Sequence, residues 1–177
     1  SDMYYCLIRD LCWRVPVSMQ TLPAIVLQNQ PILRRPVQLH SAYCTAVLHL
    51  SMAARVVRRQ LISAVISHLL GLDVRLPREI VICCIKQQSS KVQPEVSDFI
   101  TKMDQCMDAC FEFIEKLPEL SLRGNTNNES SIDLICEFFV DVLAAFDAVV
   151  FRSSSASHIN FILFYACARY PQLAALM

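Results

Sequence analysis

Residues able to do chemistry are scattered along this chain rather than gathered. Four histidines, His40, His49, His68 and His158, are dispersed over 177 residues. The first three sit on the flanks of apolar helical stretches, where a hydrogen-bonded structural ring is a simpler reading than a catalytic base. His158 opens an apolar helix, where its ring could bond to a loop. Asp104 and Asp108 stand one helical turn apart and could act as paired carboxylates, although on an amphipathic helix they are more simply its wet side. Nine cysteines (Cys6, Cys12, Cys44, Cys83, Cys84, Cys106, Cys110, Cys136, Cys167) are an odd number with no Cys-x-x-Cys among them. Cys106 and Cys110 share a helix face, but no histidine is close in sequence to complete a zinc set. Free thiols packed in the core of an intracellular protein are therefore the expectation, and no metal ligand is assigned. A glycine-rich phosphate loop, a Gly-x-Ser-x-Gly elbow and a His-Glu-x-x-His pair are all missing. No catalytic or cofactor-binding residue is assigned, and a protein that is not an enzyme is expected. Trp13 reads as core or as a groove anchor, and Ser18 and Ser153-Ser154-Ser155 are accessible hydroxyls. Phosphate on such a serine adds about −1.5 to −2 charges.

The composition says which elements must position these groups. The chain is 54% hydrophobic and 18% charged, too apolar for disorder, and it holds only Gly71 and Gly124 as glycines. Sandwiches, barrels and doubly wound sheets need glycine at tight turns and phosphate loops, so helices joined by proline and polar loops are favoured. Sixteen basic residues balance sixteen acidic ones, but eleven of the basic residues and only four of the acidic ones precede Pro94. The halves thus carry about +7 and −7, a polarised body rather than the net-basic domain of a dedicated nucleic-acid binder. The longest uncharged stretch, residues 36–54, is interrupted by Gln38, His40, Ser41, Thr45, His49 and Ser51, so no membrane span is expected.

Hydrophobic periodicity places the helices. In residues 95–117, Val96, Phe99, Ile100, Met103, Met107, Cys110, Ile114 and Leu117 recur at three- and four-residue steps. Asp98 and Lys102 fall on the opposite, wet side at a favourable spacing, and Pro94 suits the first turn. Residues 55–72 carry a second stripe through Leu61, Val65 and Leu69, with residues 38–52 as an antiparallel partner. Ser130 and Asp133 suggest a capping box for a helix to about residue 151, and Ser154 or Ser155 a cap for one ending at Arg169 before Pro171. Residues 3–13 and 23–28 are further candidates, and breaks are expected at 15–21, 73–93 and 118–129. The fold class is all-α: antiparallel helix pairs stacked as a HEAT-like superhelical repeat array, residues 1–177 forming one such domain. No fixed repeat period is visible, so a compact irregular bundle stays open.

Three ordered blocks then resemble a known family. The first comprises Pro23-Ala24-Ile25-Val26, Arg34-Arg35, Tyr43, Leu48-x-x-Ser51, Arg58 and Leu69-Leu70-Gly71-Leu72-Asp73-Val74. The second centres on Lys102-Met103-Asp104 with Asp133-Leu134 beyond it, and the third is Ala156-Ser157-His158-Ile159-Asn160-Phe161 with Phe164-Tyr165-Ala166-Cys167. Together they resemble the RNA polymerase I-specific transcription initiation factor family, TIF-IA. The resemblance implies a HEAT-repeat protein of the nucleus and nucleolus, without cofactor or small-molecule substrate. Such a protein binds RNA polymerase I subunits and bridges them to promoter-bound core initiation factors for ribosomal RNA synthesis. It also implies a phosphorylation switch in the segment before the first block, which Ser18 occupies. Arg34, Arg35, Arg58 and Arg59 are the partner-surface candidates; direct DNA contact is not expected and self-association is left open. Family members are longer and carry an acidic, serine-containing insert, whereas residues 75–93 here are short and basic, as in a central piece of the array or a shortened relative. The competing readings are a cytoplasmic HEAT-like adaptor or trafficking scaffold, and an enzyme with a polar pocket at His158 or at Asp104 and Asp108.

Overall fold

The computed structural model describes residues 16–76, 94–124, 131–154 and 156–176. In chain order the helices are α1 (Pro16–Gln28), α2 (Val37–Ala53), α3 (Arg58–Asp73), α4 (Pro94–Gly124), α5 (Ser131–Val149) and α6 (Phe161–Arg169). Short 3-10 turns, Arg55–Val57 and Pro171–Leu176, precede α3 and follow α6. No strand occurs among the described residues, and none of their helices is long and apolar enough to cross a membrane.

Apolar spacing decides which faces are buried. On α4, Met103, Cys106, Cys110, Phe113, Ile114 and Leu117 are each at most 5% exposed, one continuous stripe. On α5, Ile135, Phe138, Phe139 and Phe146 do the same, and each fully buried phenylalanine contributes about 1.5–3 kcal/mol.

Named contacts fix the directions of the helices. Arg58 at the start of α3 reaches Ser51 near the end of α2, while His68 near the end of α3 meets His40 at the start of α2. These two helices are therefore antiparallel, turned back through the few residues around Ala54. Between pairs the order runs the other way: His40 and Leu33 lie near Lys102, Cys44 meets Cys106, and His49 packs on Phe113. Hence α2 runs parallel to α4, and the contacts of Arg58 with Glu137 and Asp141 set α3 beside α5. One antiparallel hairpin stacks on the next, the arrangement of a HEAT-like repeat.

The expected helices appear, with differences at their ends. Helix α1 begins at Pro16 and runs through Pro23, so Ser18 lies in its first turn and not in a loop. Helix α4 continues through Pro118 to Gly124, beyond the expected break. Proline removes the N–H that would bond to the carbonyl four residues back, and the Tyr170 hydroxyl donates to that orphaned Ile114 carbonyl at 2.9 Å. Lys102, expected on the wet side, is 2% exposed, because the turn before α2 folds over it. Helix α6 starts at Phe161 with no side-chain cap, leaving Ser154 in a turn well before it. Residues 3–13, Trp13, Ser130 and Ser155 lie outside the described residues.

Candidate functional surface and its buried supports

The turn between α1 and α2 presents Arg34 and Arg35, both exposed, beside the outward-facing Ile32 and Leu27. Arg34 also borders a shallow cleft of about 700 Å³ shared with Leu27, Gln30, Pro31, Ile32, Leu33, His68 and Gly71. Two buried side chains pin this turn through its carbonyls. The Lys102 ammonium donates to the Leu33 carbonyl at 2.7 Å, while paired with Asp98 and set against the Phe99 ring.

The second pin ends a chain of hydrogen bonds. His40 Nε2 lies 3.2 Å from the Arg35 carbonyl, which can only accept, so this nitrogen carries the proton. A neutral His40 then accepts at Nδ1 from His68 Nε2 at 3.0 Å, and His68 Nδ1 accepts from the Gln30 amide at 3.0 Å. The two rings meet edge to edge, inclined by 18°. Burial and the nearby Lys102 charge hold His40 below its usual range, and burial with the His40 charge pushes His68 down to about 4. Both rings are neutral at pH 7, as the chain of donors requires. Tyr43 closes edge-on against His68; burial raises its phenol to about 12.

Of the four arginines proposed from sequence, Arg34, Arg35 and Arg59 are on the surface, the first two together and Arg59 apart on α3. Arg58 is not a surface residue. It is 2% exposed, donates from Nε to the Ser51 carbonyl at 3.3 Å, and sets Nη1 3.4 Å from Glu137 and 3.5 Å from Asp141. Burial draws its guanidinium downward against the pull of these two carboxylates. The sequence could not show this, because its partners come from α5, some eighty residues on.

His158 and the acidic pair occupy different settings. The Asp73 carboxylate, 1% exposed, accepts from the backbone N–H groups of Ser157, His158 and Ile159 at 2.8–3.1 Å, and lies 2.7 Å from His158 Nδ1. It thereby binds the α5–α6 connection to the end of α3, and His158 bonds not to a loop of its own neighbourhood but to a distant helix terminus. A cleft of about 520 Å³ beside it is lined by Ile100, Met103, Met107, Phe111, Phe161, Phe164 and other apolar groups, with the Asp104 carboxyl and the His158 ring among them. Burial, then the neighbouring Asp108, raises the Asp104 carboxyl. An apolar cleft with one carboxylate, and an imidazole already held by Asp73, does not assemble the converging acids and bases of a hydrolytic site.

One group of residues escaped the sequence reading. Cys44, His68 and Cys106, from α2, α3 and α4, bring their donor atoms within 4.8 Å of one another, all buried. The histidine absent from the sequence neighbourhood of Cys106 arrives from another helix, and no local spacing signals it.

Neither curated proteins nor solved structures give a match to the chain. A family pattern does match, over residues 83–177, which take in the second and third blocks together with α4, α5 and α6; the block from Leu22 to Val74 lies before it. More than half of the sequence is covered, and the stacked helices agree with what the resemblance implied. The chain belongs to the family of the RNA polymerase I specific transcription initiation factor RRN3.

Proposed function

We propose that this chain acts by binding RNA polymerase I and bridging it to promoter-bound core factors at ribosomal RNA genes, in the nucleus and nucleolus. The observation that carries the reading is the family match over residues 83–177. The geometry supports a role for surfaces rather than chemistry. His40, His68 and Asp73 are buried in structural bonds, His158 is held by Asp73, and Arg34 and Arg35 stand on a turn held by two buried donors. A pinned turn with two arginines beside exposed Ile32 and Leu27 offers the charged and apolar contacts of a protein interface, with little ordering entropy left to lose on binding. The helical repeats form one domain within a longer array, without direct contact to DNA.

Ser18 is the proposed switch. In the first turn of α1 a phosphate is favoured by the helix dipole, and it adds negative charge at the end of that helix away from the arginine turn. The test is capture of polymerase I subunits by the chain. Arg34→Glu with Arg35→Glu is expected to weaken capture at least about tenfold, the scale of one interface hot spot. Ser18→Asp is expected to weaken it less. Undiminished capture by the arginine pair variant rejects the surface, and equal capture by wild type and Ser18→Asp rejects the switch. A cytoplasmic adaptor shares the fold without the family match, and fluorescence localisation away from the nucleolus would favour it.

A further inference from the structure

We propose that Cys44, His68 and Cys106 form a buried structural site for a d10 metal ion of the zinc class. The three donor atoms come from three helices and lie within 4.8 Å of one another. Zinc–sulfur bonds near 2.3 Å and zinc–nitrogen bonds near 2.0 Å put tetrahedral ligand atoms about 3.5–3.8 Å apart, so the widest separation has to contract by no more than about 1 Å. The Cys44 and Cys106 thiols are already in hydrogen-bond contact. Cys110 follows Cys106 by one turn and is 5% exposed, outside the group of three donors.

A metal ion bound here displaces the thiol protons of Cys44 and Cys106 to solvent. Two thiolates and a neutral imidazole around a divalent ion sum to zero. Soft sulfur donors with imidazole select zinc or cuprous copper over magnesium or calcium. With its members on α2, α3 and α4, the ligand set would clamp the first hairpin to the second.

His68 has to give up one of its two hydrogen bonds to coordinate. Its other nitrogen then donates to a neighbouring acceptor, as metal-bound histidines commonly do. Rotating the Gln30 amide to present oxygen to Nδ1 supplies that acceptor, and Nε2 reaches the metal only by turning away from His40 Nδ1, which then loses its donor.

Cobalt(II) is the probe, added to the full chain prepared with reduced thiols and without metal. The expected result is one cobalt per chain, with the strong visible bands of tetrahedral cobalt and a thiolate charge-transfer band that zinc abolishes. His68→Ala should weaken cobalt binding at least about tenfold, since even outer partners of metal ligands have effects of that size. Cys44→Ser with Cys106→Ser should remove the charge-transfer band, while Cys136→Ser on α5 leaves it intact. Because the double variant could unfold, the wild-type chain is also alkylated with and without zinc. Slowed modification of Cys44 and Cys106 by zinc supports the site. Absence of a tetrahedral cobalt spectrum from the wild type, a charge-transfer band unchanged in the folded double variant, or zinc-independent alkylation of these two cysteines overturns it.

Discussion

Tyr170 shows how one side chain can repair a defect in a distant helix. Pro118 leaves the Ile114 carbonyl without its helical donor, and the Tyr170 hydroxyl supplies one from the segment after α6. Tyr170→Phe should cost about 1–3 kcal/mol, the penalty of an unsatisfied buried acceptor. Pro118→Ala restores the backbone donor and should recover part of that loss, so a double-mutant cycle in urea is expected to show coupling. The pH dependence follows from the same contact. Burial, the largest cause, raises the Tyr170 phenol above 10, so the folded state holds its proton more tightly than the unfolded chain. This stability is complete below the unfolded value near 10 and is lost as pH rises through the raised folded value. Tyr170→Phe should flatten that alkaline limb of the stability profile.

Between elements, side chains buried at helix ends set the registers. Asp73 closes α3 and gathers three backbone donors and one imidazole from residues 157–159. In Asp73→Asn one acceptor oxygen becomes a donor facing other donors, and the loss should be about 2–4 kcal/mol. Hydrogen exchange should show the amides of Ser157, His158 and Ile159 losing protection before those of α4. Lys102 plays the corresponding part for the turn of residues 29–36, through Leu33. Lys102→Met keeps the apolar stem and removes the pin. It should speed proteolytic cleavage within that turn several-fold, while global stability changes by about 1 kcal/mol, because Asp98 is half exposed and stays hydrated. Unchanged cleavage would show that the His40 bond to Arg35 suffices to hold the turn.

At the scale of the molecule, the two hairpins share one core cluster running from Val26 on α1 to Leu173 beyond α6. Nearest-neighbour stacking of this kind couples repeats through their interface. Thermal unfolding followed by far- and near-ultraviolet circular dichroism should therefore give coincident single transitions. Two separated transitions would mean that the α2/α3 hairpin folds independently of α4 and α5. The charge division seen along the sequence survives only in part: Arg34, Arg35 and Arg59 face solvent, whereas Arg58 is used internally against the acidic face of α5.

Local pattern determined the helices, because the steps that make a helix amphipathic lie within a few residues of one another. The stripe on α4, the α2/α3 pair and the stop before Pro171 were all legible in this way, and so were the motif blocks that led to the family. The extension of α4 past Pro118, the burial of Lys102 and Arg58, the bond from His158 to Asp73, and the meeting of Cys44, His68 and Cys106 were not. Each depends on a partner contributed by a remote part of the chain. Whether a polar side chain in a helix meets water or a counter-group is decided by which helix packs over it, and that is a property of the stack rather than of any one segment.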